Sequence, residues 1–200
     1  GLVDDTLIVL TSDHGEEFQE HGSVLHGRTQ YQELLAIPWI LAGPGVPAGL
    51  VLDTPVHGVD LAPTLRALLG VAPQAAMDGL DVSPLFAGRA LEPRLFFAEA
   101  DQNNRVPGQQ EVDRKVMVRR GAAKLIEDRV QGRLELYDLA ADPRETRELS
   151  AARPADTDEL RAALERFRAG ARAGQPIAAP SDEEQRRLDA MGYGGDDDDK

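Results

Sequence analysis

The sequence predicts an α/β fold with a small antiparallel sheet and C-terminal helices, and three stretches predict it. Leu7–Leu10 is a short, continuous apolar run with two β-branched residues, the pattern of a strand buried on both faces, and it breaks off at once into polar residues. Leu61–Leu69 (LAPTLRALL) sets Leu61, Leu65, Leu68 and Leu69 on one helical face suited to packing on a sheet. From Glu111 onward, Val112–Arg119, Ala123–Asp128 and Arg133–Leu139 are short runs separated by turns, as in an antiparallel meander.

Taken in order, the first strand delivers Thr11, Ser12, Asp13, His14 and Gly15 to its carboxyl end, where open α/β sheets place their ligands. Gly15 lets the chain turn sharply there. Asp13 offers carboxylate oxygens and His14 an imidazole nitrogen, a pair able to hold a divalent cation if other ligands complete the shell. Glu16–Gln30 is a polar, glycine-punctuated loop with His21 and His26. A lone loop histidine ordinarily bonds backbone groups, but clustering behind Asp13 and His14 points to a site. Tyr31, Leu34 and Leu35 stand at helical spacing. Ile37–Leu41 (IPWIL) reads as a second buried strand with Pro38 at its start, and Gly43–Gly49 (GPGVPAG) as a turn.

Val51–Val59 is expected to be extended, with Asp60 capping the helix that follows, Pro63 in its first turn and Gly70 at its end. Pro73–Arg89 is loop-rich with a helical turn near Pro84–Ala87, Leu95–Ala98 (LFFA) reads as a buried strand, and Asp101–Gln110 as a surface loop. In the meander, Leu134, Leu136 and Asp138 share one face while Glu135, Tyr137 and Leu139 share the other. DPRETREL reads as a turn with a short helix, and Thr157–Arg168 as an amphipathic helix closed by Gly170. After a Gly, Ala and Pro rich linker to Pro180, Ser181 and Glu184 form a capping box for a last helix ending at Gly192.

Composition bounds the function. In 200 residues, 42% are hydrophobic but only 4% aromatic, so aliphatic side chains must fill the core. A formal net charge of -13 argues against non-specific binding to nucleic acid or an anionic membrane, both of which need basic surfaces. With no cysteine, disulfides, thiolate metal sites and a cysteine nucleophile are excluded within these residues. No apolar run reaches the roughly 20 residues of a membrane span, and no signal peptide opens the chain. Gly1 in place of an initiator methionine, followed almost directly by a strand, suggests a portion cut from a longer protein. Asp196–Lys200 (DDDDK) resembles an enteropeptidase or epitope-tag sequence and is set aside.

SDHGEEFQEHG followed by HGRTQYQELLAIPWILAGPG resembles the C-terminal half of a sulfatase, within the alkaline-phosphatase-like superfamily that includes arylsulfatases and phosphonate monoester hydrolases. VDLAPTLRALLGV, ELYDLAADPRETRELS and LDAMGY resemble further family segments in the same order, so the resemblance spans most of residues 1–193. It implies the C-terminal part of an alkaline-phosphatase-like α/β sandwich in residues 1–110, a small antiparallel sheet with C-terminal helices in 111–193, and a tag or acidic tail in 194–200.

The resemblance also implies roles. Asp13 and His14 match the last two ligands of one divalent metal ion, in an Asp-His variant of the arylsulfatase Asp-Asn. Calcium is the usual ion, and the imidazole also suits manganese or another transition metal. His26 matches a basic residue, commonly lysine, that contacts the ester oxygens and the leaving group, and so serves both substrate binding and catalysis. His21 lines the pocket or braces the loop, Tyr31 and Glu33 are structural, and His57 is a surface or strand residue. The family nucleophile, a formylglycine from a Cys/Ser-x-Pro/Ala-x-Arg motif, has no counterpart in the chain, and neither do the other metal carboxylates. The implied activity is therefore metal-dependent sulfuric ester hydrolysis by an intact enzyme, with this chain inactive alone and partnered by the missing N-terminal half. A small sulfate or phosphate ester, or a glycan ester, is the implied substrate, and family habit suggests a periplasmic or secreted location. Phosphoester, phosphodiester or phosphonate ester hydrolysis on the same fold is one alternative, and a non-catalytic binding or structural domain is another.

Overall fold

The computed structural model describes residues 2–72, 74, 77–101, 114–129, 131–170 and 181–190. The expected loop beyond Asp101, the linker before Pro180, the helix end at Gly192 and the acidic tail lie outside the described residues.

The chain enters β1 (Ile8–Thr11), makes a small hairpin of β2 (Glu17–Phe18) and β3 (Val24–Leu25), forms the single turn α1 (Gln32–Leu35), and returns in β4 (Trp39–Ala42). β4 starts just after Pro38, as its missing N–H requires, and pairs antiparallel with β1, Ile8 opposite Ala42 and Thr11 opposite Trp39. The expected burial of β1 on both faces is not realised. Ile8 and Leu10 are each 54% exposed and Ile40 is 57% exposed, because among the described residues β1 has one partner strand.

Residues 51–57 form no strand, and a single 3-10 turn, Gly58–Asp60, leads into α2 (Leu61–Leu68). Asp60 does not cap α2 with its side chain. Its fully buried carboxylate instead accepts the backbone N–H groups of His57 at 2.7 Å and Leu80 at 2.9 Å, and accepts from both terminal guanidinium nitrogens of Arg94. The apolar face of α2 is only half-buried and Leu69 is exposed; Thr64 is its buried residue, accepting the Val82 N–H at 3.0 Å. His57 gives Nε2–H to the Phe97 carbonyl at 2.9 Å, since its Nδ1 accepts from Val59. It is a brace between this segment and the next strand.

A further 3-10 turn, Ser83–Ala87, sits where a helical turn is expected. Beyond it four strands form one antiparallel sheet in sequence order: β5 (Leu95–Asp101), β6 (Arg114–Arg120), β7 (Ala123–Asp128) and β8 (Arg133–Asp138). The meander is as the alternation predicts, with LFFA joined to it as an edge strand. One face buries Val116, Val118, Leu125 and Leu136 beneath Leu160, Ala163 and Leu164 of α3 (Pro154–Ala169). Each fully buried aliphatic side chain there contributes about 1.5–3 kcal/mol. The opposite face carries Ala98, Met117, Ile126 and Tyr137, covered by Tyr31 and Leu35. The α1 segment thus docks on the sheet through the face that α3 leaves free. Residues 142–149 make turns and no helix, with Glu145 at φ +53°. α4 (Asp182–Ala190) starts with the expected reciprocal cap, Ser181 N–H to Glu184 at 2.8 Å and Glu184 N–H to Ser181 Oγ at 3.4 Å.

The Asp60 hub predicts an acid-limb instability. Burial alone would raise this carboxyl, but Arg94 and the N–H groups of Leu80 and His57 outweigh it and hold the pKa below the ordinary value. A depressed carboxyl stabilises the fold above the unfolded-state pKa near 3.8 and loses that contribution as pH falls through the folded value. Asp60→Asn is expected to cost roughly 2–3 kcal/mol at pH 7 and to flatten the decline of the urea midpoint below pH 4. A parallel decline in both proteins would contradict this.

Candidate active site

The segment after β1 is held close to α1. A Cβ on Gly15 would lie 1.9 Å from the Glu33 carbonyl oxygen, and the Gly15 N–H donates to the Leu34 carbonyl at 2.9 Å. Glycine is needed for this backbone contact rather than for a special turn conformation.

His14 Nδ1 lies 2.8 Å from the Gly15 carbonyl, which only accepts, so in the neutral ring Nδ1 carries the proton and Nε2 the lone pair. Nε2 stands 3.7 Å from Asp13 Oδ2. The backbone N–H groups of Asp13 and His14, with the nearby imidazole, hold the Asp13 carboxyl below the usual range, so it is ionised at neutral pH. A lone-pair nitrogen and a carboxylate oxygen at this separation can both lie about 2.0–2.4 Å from one divalent ion. The donor set therefore fits the implied metal.

The β2–β3 hairpin folds His26 back onto this pair. Its ring stacks on His14 with centroids 4.0 Å apart, and its Nδ1 lies 2.7 Å from Glu16 Oε1. His14, Glu16 and His26 each offer a donor atom within 4.8 Å of the others. Glu16 is the residue that sequence reasoning passed over; an acidic residue directly after Asp-His-Gly was the available signal. Leu25, just before His26, sits at φ +67°, a left-handed conformation costing about 1–3 kcal/mol that the hairpin imposes next to the site.

His21 lies in another cluster. It stacks on Tyr31 at 3.7 Å, with Nδ1 2.5 Å from Glu33 Oε1 and Nε2 3.2 Å from the Glu145 carbonyl. Burial opposes its charge, yet these acceptors raise its pKa overall. The Tyr31 hydroxyl donates to Glu135 at 2.7 Å on β8, and burial pushes the phenol far up. Behind this cluster Lys124 Nζ meets Glu145 Oε1 at 2.6 Å, both side chains fully buried. Glu145 also accepts the Gln32 N–H at 2.6 Å. The loop bearing His26 is thereby tied to the sheet.

Residues 1–71 match the sulfatase family profile. A choline-sulfatase of Rhizobium meliloti (strain 1021) is 30% identical over 152 residues, which is 74% of this chain and 28% of that protein. A phosphonate monoester hydrolase from Silicibacter pomeroyi superposes with TM-score 0.69 at 27% identity, covering 83% of this chain and 35% of that one. The chain is sulfatase-like, with the fold of the alkaline-phosphatase-like superfamily. A further protein, solved in complex with its substrate D-glucosamine-2-N,6-O-disulfate, superposes with TM-score 0.70 at 28% identity, covering 84% of this chain and 35% of that one. The chain thus spans roughly a third of the length of these relatives. Its fold is the C-terminal part of the alkaline-phosphatase-like α/β sandwich. No described helix is long and apolar enough to cross a membrane.

Proposed function

We propose that this chain supplies the C-terminal side of the active site of a metal-dependent sulfuric ester hydrolase. The observation that carries the reading is the convergence of the Asp13 carboxylate, the His14 Nε2 lone pair and the stacked His26 ring at the end of β1. Asp13 and His14 hold the divalent ion, calcium by family habit or manganese by the affinity of imidazole for transition metals. When bound, that ion supplies positive charge that stabilises the ester oxygens and the nucleophile. Glu16 occupies His26 Nδ1 and leaves Nε2 to face the substrate. Protonated, Nε2 binds an ester oxygen and delivers its proton to the departing alkoxide.

Substrates with a sulfate ester on a sugar fit best, given the relative solved with a sulfated glucosamine. The rest of the catalytic domain, bearing the nucleophile and the remaining carboxylates, covers the apolar face of β1 and β4, where Ile8, Leu10 and Ile40 are exposed. The chain alone turns over no ester. The likeness to a phosphonate monoester hydrolase favours a second reading, hydrolysis of phosphonate or phosphate esters at the same site.

In the full-length enzyme, aryl sulfate is expected to be turned over faster than aryl phosphate or phosphonate, with activity lost to a chelator and restored by a divalent ion. Asp13→Ala is expected to lower kcat/KM by about 10²-fold or more, since metal charge stabilisation is worth several kcal/mol. A preference for the phosphorus esters supports the second reading. Full activity in Asp13→Ala removes both.

A further inference from the structure

We propose that Glu17, His21 and Glu33 form a second divalent-cation site of zinc or manganese type, buried between the β2–β3 hairpin and α1 and separate from the Asp13–His14 pair. Each offers a donor atom within 4.8 Å of the other two. Two carboxylates and one imidazole suit zinc or manganese better than calcium, which prefers an all-oxygen shell.

Two observations besides proximity point to a cation. Glu17 is 1% exposed; its Oε2 accepts from Thr29 at 2.7 Å, while Oε1 is buried with no hydrogen-bond partner among the described residues. A buried carboxylate oxygen left unpaired is costly, and an ion among these donors relieves it. His21 is also held as metal-bound histidines usually are. Its Nε2 points at the Glu145 carbonyl at 3.2 Å, which directs Nδ1 toward Glu33. The 2.5 Å contact between Nδ1 and Glu33 Oε1 holds one proton, which binding of an ion displaces to solvent. The Nδ1 to Oε1 separation, now 2.5 Å, then opens to roughly 3.4 Å, the spacing of donors around a tetrahedral zinc. A polar cleft of about 340 Å³, lined on its cationic side by Arg28, Lys115 and Arg133, opens next to His21 and Thr29.

The ion would clamp the hairpin that carries His26 onto α1. The test uses this chain with Asp13→Ala and His14→Ala, which silence the first site, stripped with chelator and titrated with zinc by calorimetry in two buffers of different protonation enthalpy. One equivalent is expected to bind at micromolar affinity or tighter with about one proton released per zinc, and to raise the thermal midpoint. Glu17→Gln and His21→Gln, each added to that background, are expected to weaken binding at least 10-fold. Because either change can perturb folding, X-ray absorption on the zinc-loaded parent gives an independent reading, with one nitrogen and two carboxylates expected in the shell. No stoichiometric zinc, undiminished binding in both variants, or a shell with two or more imidazoles would overturn the proposal.

Discussion

Glu145→Ala is expected to destabilise the chain by about 3–5 kcal/mol, because it strands the buried Lys124 ammonium without its partner. Burial pushes the Lys124 pKa down and the Glu145 pKa up, and the attraction between the two charges works against both shifts. The pair is thus held against a large desolvation cost, which becomes uncompensated when one charge is removed. The same substitution takes the acceptor from the Gln32 N–H at the start of α1. Replacing both partners with apolar residues of similar volume, Lys124→Met with Glu145→Leu, is expected to cost much less, since no buried charge is left over. Urea midpoints for the two singles and the double check this by a mutant cycle. A Glu145→Ala midpoint within 0.5 kcal/mol of the parent would show that water reaches Lys124.

His26→Ala in the full-length enzyme is expected to lower kcat by about 10²- to 10⁴-fold, the range for a positioned general acid. The leaving group discriminates this role from simple substrate binding. An alkyl sulfate, whose alkoxide needs the proton, should lose far more rate than a nitrophenyl sulfate, whose phenolate leaves unaided. Glu16→Gln removes the carboxylate 2.7 Å from His26 Nδ1 and should lower kcat less than His26→Ala does. Equal losses for both leaving groups in His26→Ala would leave His26 as an oxygen-binding group only.

Much of the fold was legible because it rests on local pattern. The meander follows from period-2 alternation in short runs, and Leu136 and Tyr137 do bury on opposite faces as neighbours in a strand must. The α3 stripe of Leu160, Ala163 and Leu164 and the Ser181–Glu184 cap likewise need only sequence spacing. Asp60 misled for the same reason. As the residue before a helix it looks like a cap, but Arg94, 34 positions away, and the Leu80 N–H compete for the carboxylate and win. The α2 face misled too, since a leucine stripe does not say which surface will meet it.

The sequence by itself carried the likeness to sulfatases and, through that likeness, pointed to Asp13, His14 and His26 as candidates for the site. Only the tertiary structure decided that His26 stacks on His14 with Glu16 on its other nitrogen, and that His21 belongs to a separate buried cluster with Glu17 and Glu33. The physical reason is that hydrogen-bond and charge partners are chosen by distance in space. His21 meets the Glu145 carbonyl across 124 positions of chain, a contact that no local pattern encodes.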